Sequence, residues 1–433
     1  MRTLTTTPAV HRSRALAALL IGEAMNLLDA TVVQVAAPVV HRDLGGPVSD
    51  VQWFTAAYTL PFAVLLVLGG RLGDLVGRRR MFVTGVAVFA AASAGCAVAP
   101  SAGVLIALRA VQGGAAAAVV PQTVGLIKAM FRGPELPRAL GWIGPVMGLA
   151  GVCGPLSGGL LTHTVSWRAV FLVNVPLAVV VLVLARALPE DRAPERPALD
   201  LVGTGLAALG TGLVVRPLIG SGAGLVWSGV GCVVLGVLVL HQRRTATPLL
   251  ERGLFARAGF PAALLTSMAF FAATGGLTTV VVLYLQLGLG YGVLASSLAL
   301  APWSVGLAVA SWAAGAHFVR RWGRRLMPWG LGVLLGGVSL AAVSPRFLLL
   351  PALVVIGVGA GLFTPAFFTL ALASLEPRET GSAAGMLNAV QQLGATLGVA
   401  VLGSVLLHQN VQVALLSGAL LVVVSAGGAR AMR

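Results

Sequence analysis

The sequence predicts an all-α membrane protein with 14 transmembrane helices, and three observations lead to this fold class. The 433 residues are 58% hydrophobic and only 10% charged, and the mean hydropathy is +0.95, outside the range of soluble domains. Apolar runs of about 20 residues, long enough to cross a bilayer as a helix, recur along the whole chain. Basic residues cluster between alternate runs, as in the cytoplasmic loops of membrane proteins.

The apolar runs give the position of each helix. In order, they predict membrane spans at residues 15–38, 51–70, 81–99, 103–128, 138–161, 168–186, 200–219, 225–241, 258–286, 294–318, 328–344, 348–371, 382–407 and 411–427. An even number of spans places both termini on the same side of the membrane.

The distribution of basic residues predicts the orientation. All but five of the 29 lysines and arginines lie on the side that carries the two termini. The exceptions are Arg42, Arg168 and Arg346 on the other side, and Arg109 and Arg216 within spans. This bias predicts a multi-pass protein of the cytoplasmic membrane with both termini in the cytoplasm. The net charge of +16 is therefore explained by orientation, and we predict no nucleic-acid partner.

Cysteines and catalytic patterns argue against an enzyme. The three cysteines, Cys96, Cys153 and Cys232, lie in three different predicted spans, without the spacing of a disulfide framework or a metal site. No nucleophile–base pair or phosphate-binding loop is recognisable, so we predict neither catalysis nor ATP-driven pumping. A membrane scaffold or sensor would have little reason to keep ionisable residues in hydrocarbon.

An internal repeat divides the chain. The loop of residues 69–80, GGRLGDLVGRRR, aligns with residues 315–325, GAHFVRRWGRR, when Gly69 is matched to Gly315. The offset corresponds to eight helices, so two six-helix halves are separated by one additional pair. We predict an N-terminal half at residues 1–190, a linker and two extra helices at 191–250, and a C-terminal half at 251–433. Repeats of this kind underlie many secondary transporters.

The first span carries two carboxylates, Asp29 and Glu23. A charge at the bilayer centre costs about 2.5–3.5 kcal/mol on insertion scales, so such residues are functional candidates. A carboxyl group can exchange a proton for cargo, or it can be a structural partner of a neighbouring helix. Six residues of helix separate Glu23 from Asp29 by about 120°, with Asn26 between them and Gln34 above Glu23. Glu23 is either a second proton or cation site or a helix-contact residue.

Other polar residues within spans are candidates for the same region. Arg109, with Gln112 one turn later, needs a carboxylate or backbone oxygens nearby, and Asp29 and Glu23 are the partners to test. Gln391 either faces a substrate cavity or joins two helices. Trp312 lies inside a span, either as a packing residue or as a ring that faces substrate.

Several stretches together resemble the fourteen-helix drug:proton antiporter branch of the major facilitator superfamily. The stretches are the loop G-R-x-G-D-x-x-G-R-R with Gly70, Arg71, Gly73, Asp74, Gly77, Arg78 and Arg79; Arg109-x-x-Gln112-Gly113; the fifth-span glycines Gly148, Gly154, Gly158 and Gly159 with Pro155; LDATVVQVAAP; QWFTAAYTL; WRAVFLVNVP; and AGMLNAVQQLGATLG. The resemblance covers nearly the whole chain. Three features depart from the pattern: Arg320 in place of a second-half counterpart of Asp74, Gln34 where this branch usually has Asn, and Glu23, which is not part of the pattern.

The resemblance implies export of lipophilic, in some cases cationic, drugs or antibiotics, driven by protons and without a cofactor, from a monomer in the lipid bilayer. It links Arg109 to proton movement, and from the cost of burying carboxyl groups we predict that Asp29 and Glu23 take part in proton coupling with it. From their polar or aromatic side chains within spans, we predict that Asn26, Gln34, Gln112, Gln391 and Trp312 belong to the substrate cavity. The G-R-x-G-D loop would be a conformational latch, and the fifth-span glycines with Pro155 would form the helix that prevents proton leak in antiporters. The alternative is a proton-coupled importer or facilitator of a small metabolite, which this antiporter motif disfavours.

Overall fold

The computed structural model describes residues 9–192, 198–219, 224–245, 248–249, 252–257, 259–373 and 380–432. These residues form 14 helices of membrane-spanning length: α1 His11–Leu44, α2 Asp50–Val76, α3 Arg78–Ala97, α4 Ala102–Met130, α5 Arg138–Thr164, α6 Trp167–Ala187, α7 Leu201–Ile219, α8 Val226–Arg244, α9 Phe260–Gly288, α10 Val293–Phe318, α11 Gly323–Val343, α12 Leu349–Ala373, α13 Ser382–His408 and α14 Val411–Ala431. The predicted fold class is confirmed.

Helix boundaries differ from the predicted spans mainly at the polar ends. The helix α1 continues to Leu44, beyond the predicted end at residue 38, and α2 continues to Val76, beyond residue 70. Hydropathy marks where the hydrocarbon ends, whereas backbone hydrogen bonding can continue through polar residues outside it. Local sequence sets several ends: Ser101 and Asn410 cap α4 and α14 through side-chain oxygens that accept backbone N–H bonds.

The helices pack as two bundles. In the first, α4 packs against α2 and α3, and α1 packs against α5 and α6. In the second, α9 packs against α13 and α14, and α12 packs against α10 and α11. The largest hydrophobic cluster lies almost wholly within the second bundle, and another lies almost wholly within the first.

Two helix pairs make the most extensive contacts between the bundles, and one additional pair lies beside them. The helix α2 packs against α13, and α5 packs against α10. The helices α7 and α8 form a hairpin, of which α7 contacts α2 and α13. The hairpin therefore flanks one seam between the bundles, as expected for an inserted pair. The residue boundaries of the three predicted domains stay a prediction.

The internal repeat is visible in the backbone. Gly77 and Gly323, which the repeat aligns, both have positive φ angles, +117° and +49°, a region that glycine enters without a steric penalty. A new helix follows each of them: α3 begins at Arg78, and α11 includes Gly323 as its first residue. We call the end of the molecule that carries these two arginine-rich turns the basic end.

Candidate functional site

A cavity of about 1240 Å³ lies between the two bundles and reaches the basic end. Its polar lining comes from both halves: Glu23, Asn26 and Tyr58 from the first, and Asn388, Gln391 and Gln392 from the second. Arg71, Asp74, Arg78 and Lys128 line it at the basic end. The volume exceeds the roughly 300–1,000 Å³ of ordinary small-molecule sites, so a bulky molecule could enter.

The opposite end is closed by contacts between the bundles. The amide Nε2 of Gln286 in α9 donates a hydrogen bond to the carbonyl oxygen of Val35 in α1 at 3.0 Å. The hydroxyls of Thr59 in α2 and Thr396 in α13 lie 2.6 Å apart. An apolar cluster that includes the outer part of α1 and Leu283 of α9 seals the same region. The cavity is thus accessible from one end only.

Glu23 faces the cavity at membrane depth. Its side chain belongs to the cavity wall, and the residue is only 8% exposed. Asn26 lies one turn further along α1 on the same wall, where its Nδ2 donates to the carbonyl oxygen of Gly22 at 3.0 Å. The Asn26 Oδ1 atom has no hydrogen-bond partner among the described residues. This wall therefore offers a substrate one carboxyl group and one free amide oxygen.

Asp29 lies outside the cavity, in a fully buried ionic network. Its Oδ2 accepts a hydrogen bond from Arg109 Nη1, and both side chains are 0% exposed. Its Oδ1 accepts from Asn174 Nδ2 at 2.8 Å and from Gln112 Nε2 at 3.3 Å. Three side chains from α4 and α6 therefore donate hydrogen bonds to the Asp29 carboxylate. Without such partners, an isolated charge buried at this place would be unstable.

Arg109 is held on several sides. Its Nη1 also donates to Gln112 Oε1 at 3.0 Å, and its Nε donates to the carbonyl oxygen of Phe54 at 3.1 Å. The guanidinium carbon lies 4.5 Å from the centre of the Tyr58 ring, within the range of a cation–π interaction. Because Tyr58 also lines the cavity, its ring connects the buried network with the cavity.

Sequence reasoning missed Asn174 and Tyr58. The Nδ2 atom of Asn174 in α6 also donates to Ser93 Oγ of α3 at 3.0 Å, so Asn174 ties Asp29 to two further helices. The available signals were a single amide in the apolar stretch FLVNVP, and the tyrosine of QWFTAAYTL. Both stretches supported the resemblance, but no role was predicted for either side chain.

Three residues expected in the cavity lie elsewhere. Gln112 belongs to the buried network, and Gln34 is half-buried in α1 without lining the cavity. Trp312 is 68% exposed on α10 and lies against the ring of His317. A helix that is apolar on all sides does not reveal which side faces lipid. Trp312 does not line the cavity in this structure, and its predicted role in substrate binding stays a prediction. Asn26 and Gln391 do line the cavity.

The G-R-x-G-D loop pairs with the chain around the extra hairpin. Asp74 accepts from Arg78 Nε at 2.9 Å, and Arg78 also pairs with Asp191 at 2.7 Å. Arg79 pairs with Glu190 at 3.2 Å. Arg71 donates to the carbonyl oxygens of Ala198, Pro248 and Leu249. The glycines allow close packing: a Cβ atom at Gly73 would overlap the Gln122 side chain, and one at Gly70 would contact Pro121.

The glycines of α5 fit this helix between α1 and α10. A Cβ atom at Gly154 would overlap Thr31 of α1, and one at Gly158 would lie 3.0 Å from the Val32 carbonyl oxygen. A Cβ atom at Gly159 would overlap Ser297 of α10. Pro155 is buried within the helix. Gly148 differs, because a Cβ atom there would meet nothing within 4 Å.

Two helical bundles around a cavity that opens at one end have the architecture of a membrane transporter. The chain belongs to the major facilitator superfamily: the model of that family matches residues 19–426.

Sequence identity to three bacterial transport and resistance proteins supports the family assignment. The chain is 42% identical over 420 residues to the probable actinorhodin transporter of Streptomyces coelicolor, covering 92% of this chain and 73% of the relative. It is 38% identical over 421 residues to the puromycin resistance protein pur8 of Streptomyces alboniger, covering 92% and 82%. It is 33% identical over 400 residues to the multidrug resistance protein Stp of Mycobacterium tuberculosis, covering 89% and 74%.

Solved structures share the fold at low sequence identity. The structure of the human organic anion transporter MFSD10 matches with a TM-score of 0.68 at 16% identity, covering 98% of this chain and 100% of that chain. A peptide-complexed transporter of the POT family matches with a TM-score of 0.72 at 12% identity, covering 95% and 94%. These two transporters therefore share the fold of this chain.

Proposed function

We propose that this protein exports a lipophilic antibiotic or drug, in some cases a cationic one, across the cytoplasmic membrane in exchange for protons. The observation that carries the proposal is the pair of carboxyl groups on α1. One of them, Glu23, lines a large cavity, and the other, Asp29, is sealed against Arg109 beside that cavity. The names of the relatives, which include antibiotic transporters and resistance proteins, support drug export.

The two carboxyl groups have different tasks in this proposal. Glu23 meets the cargo directly, because it is the carboxyl group of the cavity wall at membrane depth. A cation and a proton then compete for the same oxygens. Asp29 responds through Arg109: when Asp29 takes up a proton, the guanidinium loses its charged partner and its contact with Tyr58 is free to change. Protonation of Asp29 thereby changes the position of Tyr58 in the cavity wall.

The orientation follows from charge. The basic end faces the cytoplasm under the positive-inside rule, so the cavity takes up cargo from the cytoplasm. Both termini then lie in the cytoplasm, and the protein acts as a monomer, using the proton gradient and no cofactor. Separation of the two bundles at the closed end, where α2 meets α13 and α5 meets α10, opens that end.

Proton flux in everted membrane vesicles tests the proposal. A pH gradient, acid inside, is followed with a fluorescent probe while lipophilic cations and antibiotics, puromycin among them, are added. We expect wild type to dissipate the gradient when substrate is added. Asp29→Asn should give no substrate-dependent proton flux. Glu23→Gln should lose more of the response to cationic compounds than of the response to neutral ones.

The matched control is Asp43→Asn. Asp43 is also an acidic residue of α1, but its side chain is 48% exposed and pairs with Arg168, and it is not among the residues that line the cavity. It should behave like wild type. An Asp29→Asn variant that dissipates the gradient as well as wild type would refute Asp29 as a coupling group. Substrate accumulation without any proton flux would refute antiport.

A further inference from the structure

A second groove, of about 560 Å³, lies between α11 and α14 at the basic end. It shares no lining residue with the central cavity. Three arginines form its mouth: Arg324, Arg325 and Arg430. Its walls are apolar and belong to helices that cross the membrane, with Leu331 on one side and Val422 on the other. The groove therefore combines a cationic mouth with a hydrocarbon-lined channel.

The three arginines at the mouth have no protein partner in the part of the chain that the structure describes. All three are exposed, and no hydrogen bond or ion pair joins them to a described residue. Residues 252–257, 259–373 and 380–432 include no aspartate or glutamate at all. No carboxylate of the described residues therefore neutralises their charges.

The arginines of the two repeated turns differ in their partners. Arg324 and Arg325 align with Arg78 and Arg79 of the first half, which pair with Asp191 and Glu190. The second copy of the turn keeps the arginines but has no such carboxylates among its described neighbours. A phosphate group could satisfy the second pair as carboxylates satisfy the first, since guanidinium groups bind both anions with the same paired geometry.

The apolar part of the groove is formed by missing side chains. A Cβ atom at Gly332 of α11 or at Gly427 of α14 would meet nothing within 4 Å, and both residues line the groove. Gly332 lies seven residues beyond Arg325, about 10 Å further along a helix. The channel therefore begins at the arginines and continues toward the middle of the membrane.

Two tryptophans mark the depth of the mouth. Trp322 and Trp329 are 37% and 56% exposed, and their rings lie 5.2 Å apart. Tryptophan is enriched in membrane proteins at the level of the lipid headgroups, and these two residues lie on either side of the arginine-rich turn, where α11 begins. The arginines beside them are at the same level, and the channel is at the level of the acyl chains.

We propose that this groove binds an anionic phospholipid, with its phosphate at Arg324, Arg325 and Arg430 and one acyl chain between α11 and α14. Basic pockets between transmembrane helices are suited to anionic headgroups, and the apolar channel distinguishes a lipid from a free anion. The site does not depend on which substrate the central cavity takes.

Native mass spectrometry of the full-length protein tests the site. Wild type, released from micelles with equal amounts of phosphatidylglycerol and phosphatidylcholine of the same acyl chains, should retain the anionic lipid preferentially. The variant Arg324→Gln/Arg325→Gln/Arg430→Gln should reduce that preference by about tenfold or more. The matched control, Arg14→Gln/Arg243→Gln/Arg244→Gln, removes three exposed charges away from the groove and should keep the preference.

A second variant tests the acyl channel without changing charge. Gly332→Leu/Gly427→Leu places side chains in open space, so the protein should fold normally and lose lipid retention. Inorganic phosphate added in excess should leave the bound lipid in place. Equal loss in the control charge variant, unchanged retention in either groove variant, or full displacement by inorganic phosphate would each overturn the proposal.

Discussion

The Asp29 carboxylate and the Arg109 guanidinium stabilise each other in a place where neither would persist alone. Both are completely buried, and the neighbouring donors Gln112 and Asn174 complete the shell of the carboxylate. Removing one member of a buried ion pair leaves an uncompensated charge, whereas replacing both with apolar residues is often neutral for stability. The pair should therefore be needed for coupling more than for folding.

A double variant separates these two roles. We expect Arg109→Met alone to destabilise the protein by about 3–5 kcal/mol, and Asp29→Leu/Arg109→Met to recover most of that loss. The measurement is thermal unfolding of the purified protein in detergent. Both variants should lack substrate-dependent proton flux. A double variant as unstable as Arg109→Met would show that the network contributes more than charge compensation.

Some of these side chains could be predicted from sequence and others could not. Asp29, Glu23 and Arg109 stand out because an ionisable residue in hydrocarbon is costly. Asn174 and Tyr58 do not, because amides and tyrosines carry no comparable penalty and their role depends on which helices meet. The sequence also could not separate Glu23, which lines the cavity, from Asp29, which is sealed away from it.

Among the helices, α5 depends on the absence of side chains. Gly159 lies directly against Ser297 of α10, within one of the two most extensive helix contacts between the bundles. An added methyl group would push α5 and α10 apart, which weakens closure of the end opposite the basic end. Gly148 of the same helix has open space where its Cβ atom would be, so the glycines of this motif are not equivalent in the present conformation.

Alanine substitutions measure this difference. Gly159→Ala should destabilise the protein by about 1–3 kcal/mol, as overpacking does elsewhere, and slow transport. Gly148→Ala should leave thermal stability unchanged. Because the overlap involves the Ser297 side chain, the double variant Gly159→Ala/Ser297→Gly should regain stability. If Gly148→Ala destabilised the protein as much as Gly159→Ala, close packing would not be the explanation.

The extra hairpin is fastened at the basic end by Asp200, which precedes α7. Its carboxylate accepts hydrogen bonds from the Gly203 N–H at 2.7 Å and from Gln242 Nε2 at 2.6 Å, and it contacts His241 Nε2 at 2.9 Å. Burial raises the pKa of Asp200, but these hydrogen bonds outweigh burial, so its pKa is lowered from the ordinary value of 3.8. One residue thus caps α7 and ties it to α8.

The lowered pKa of Asp200 determines how its contribution to stability depends on pH. Stability from a carboxylate with a lowered pKa is present above its unfolded value and is lost as pH falls through the folded value. Asp200→Ala should therefore cost about 0.5–2 kcal/mol at pH 7, seen as faster hydrogen exchange in the first turn of α7. The hydrogen-exchange rates of wild type and variant should become equal only below pH 3.8. Equal exchange rates at pH 7 would contradict the capping role.

Across the whole molecule, the two bundles must separate at the end that is now closed if cargo is to leave there. The hydroxyls of Thr59 and Thr396, 2.6 Å apart, hold α2 against α13 at the closed end of the cavity. A covalent link at this point should prevent the opening movement while leaving the fold intact.

A reversible disulfide provides that link. In a background where Cys96, Cys153 and Cys232 are replaced, Thr59→Cys/Thr396→Cys should form a cross-link under oxidation and lose transport. Dithiothreitol should restore transport, and each single cysteine variant should be insensitive to oxidation. Full transport by the cross-linked protein would show that α2 and α13 stay together throughout the cycle.

The number and order of the helices were predictable because each apolar run is long enough to cross the membrane. Their neighbours were not, since helices that are apolar on every side carry no amphipathic signal for packing. The arginine-rich turns are an intermediate case: the repeat aligned Gly77 with Gly323, yet only the structure shows that Arg78 is paired while Arg324 is without a described partner.

The buried pair also constrains how the protein is made. Asp29 and Arg109 are 80 residues apart in the chain, so a ribosome that adds about 5–20 residues per second makes the acid some 4–16 seconds before its counter-ion. During that interval α1 carries Asp29 and Glu23 without the fourth helix. The first helix cannot be left alone in lipid at full charge: it must wait beside the insertion machinery, or enter with its carboxyl groups protonated, until α4 arrives.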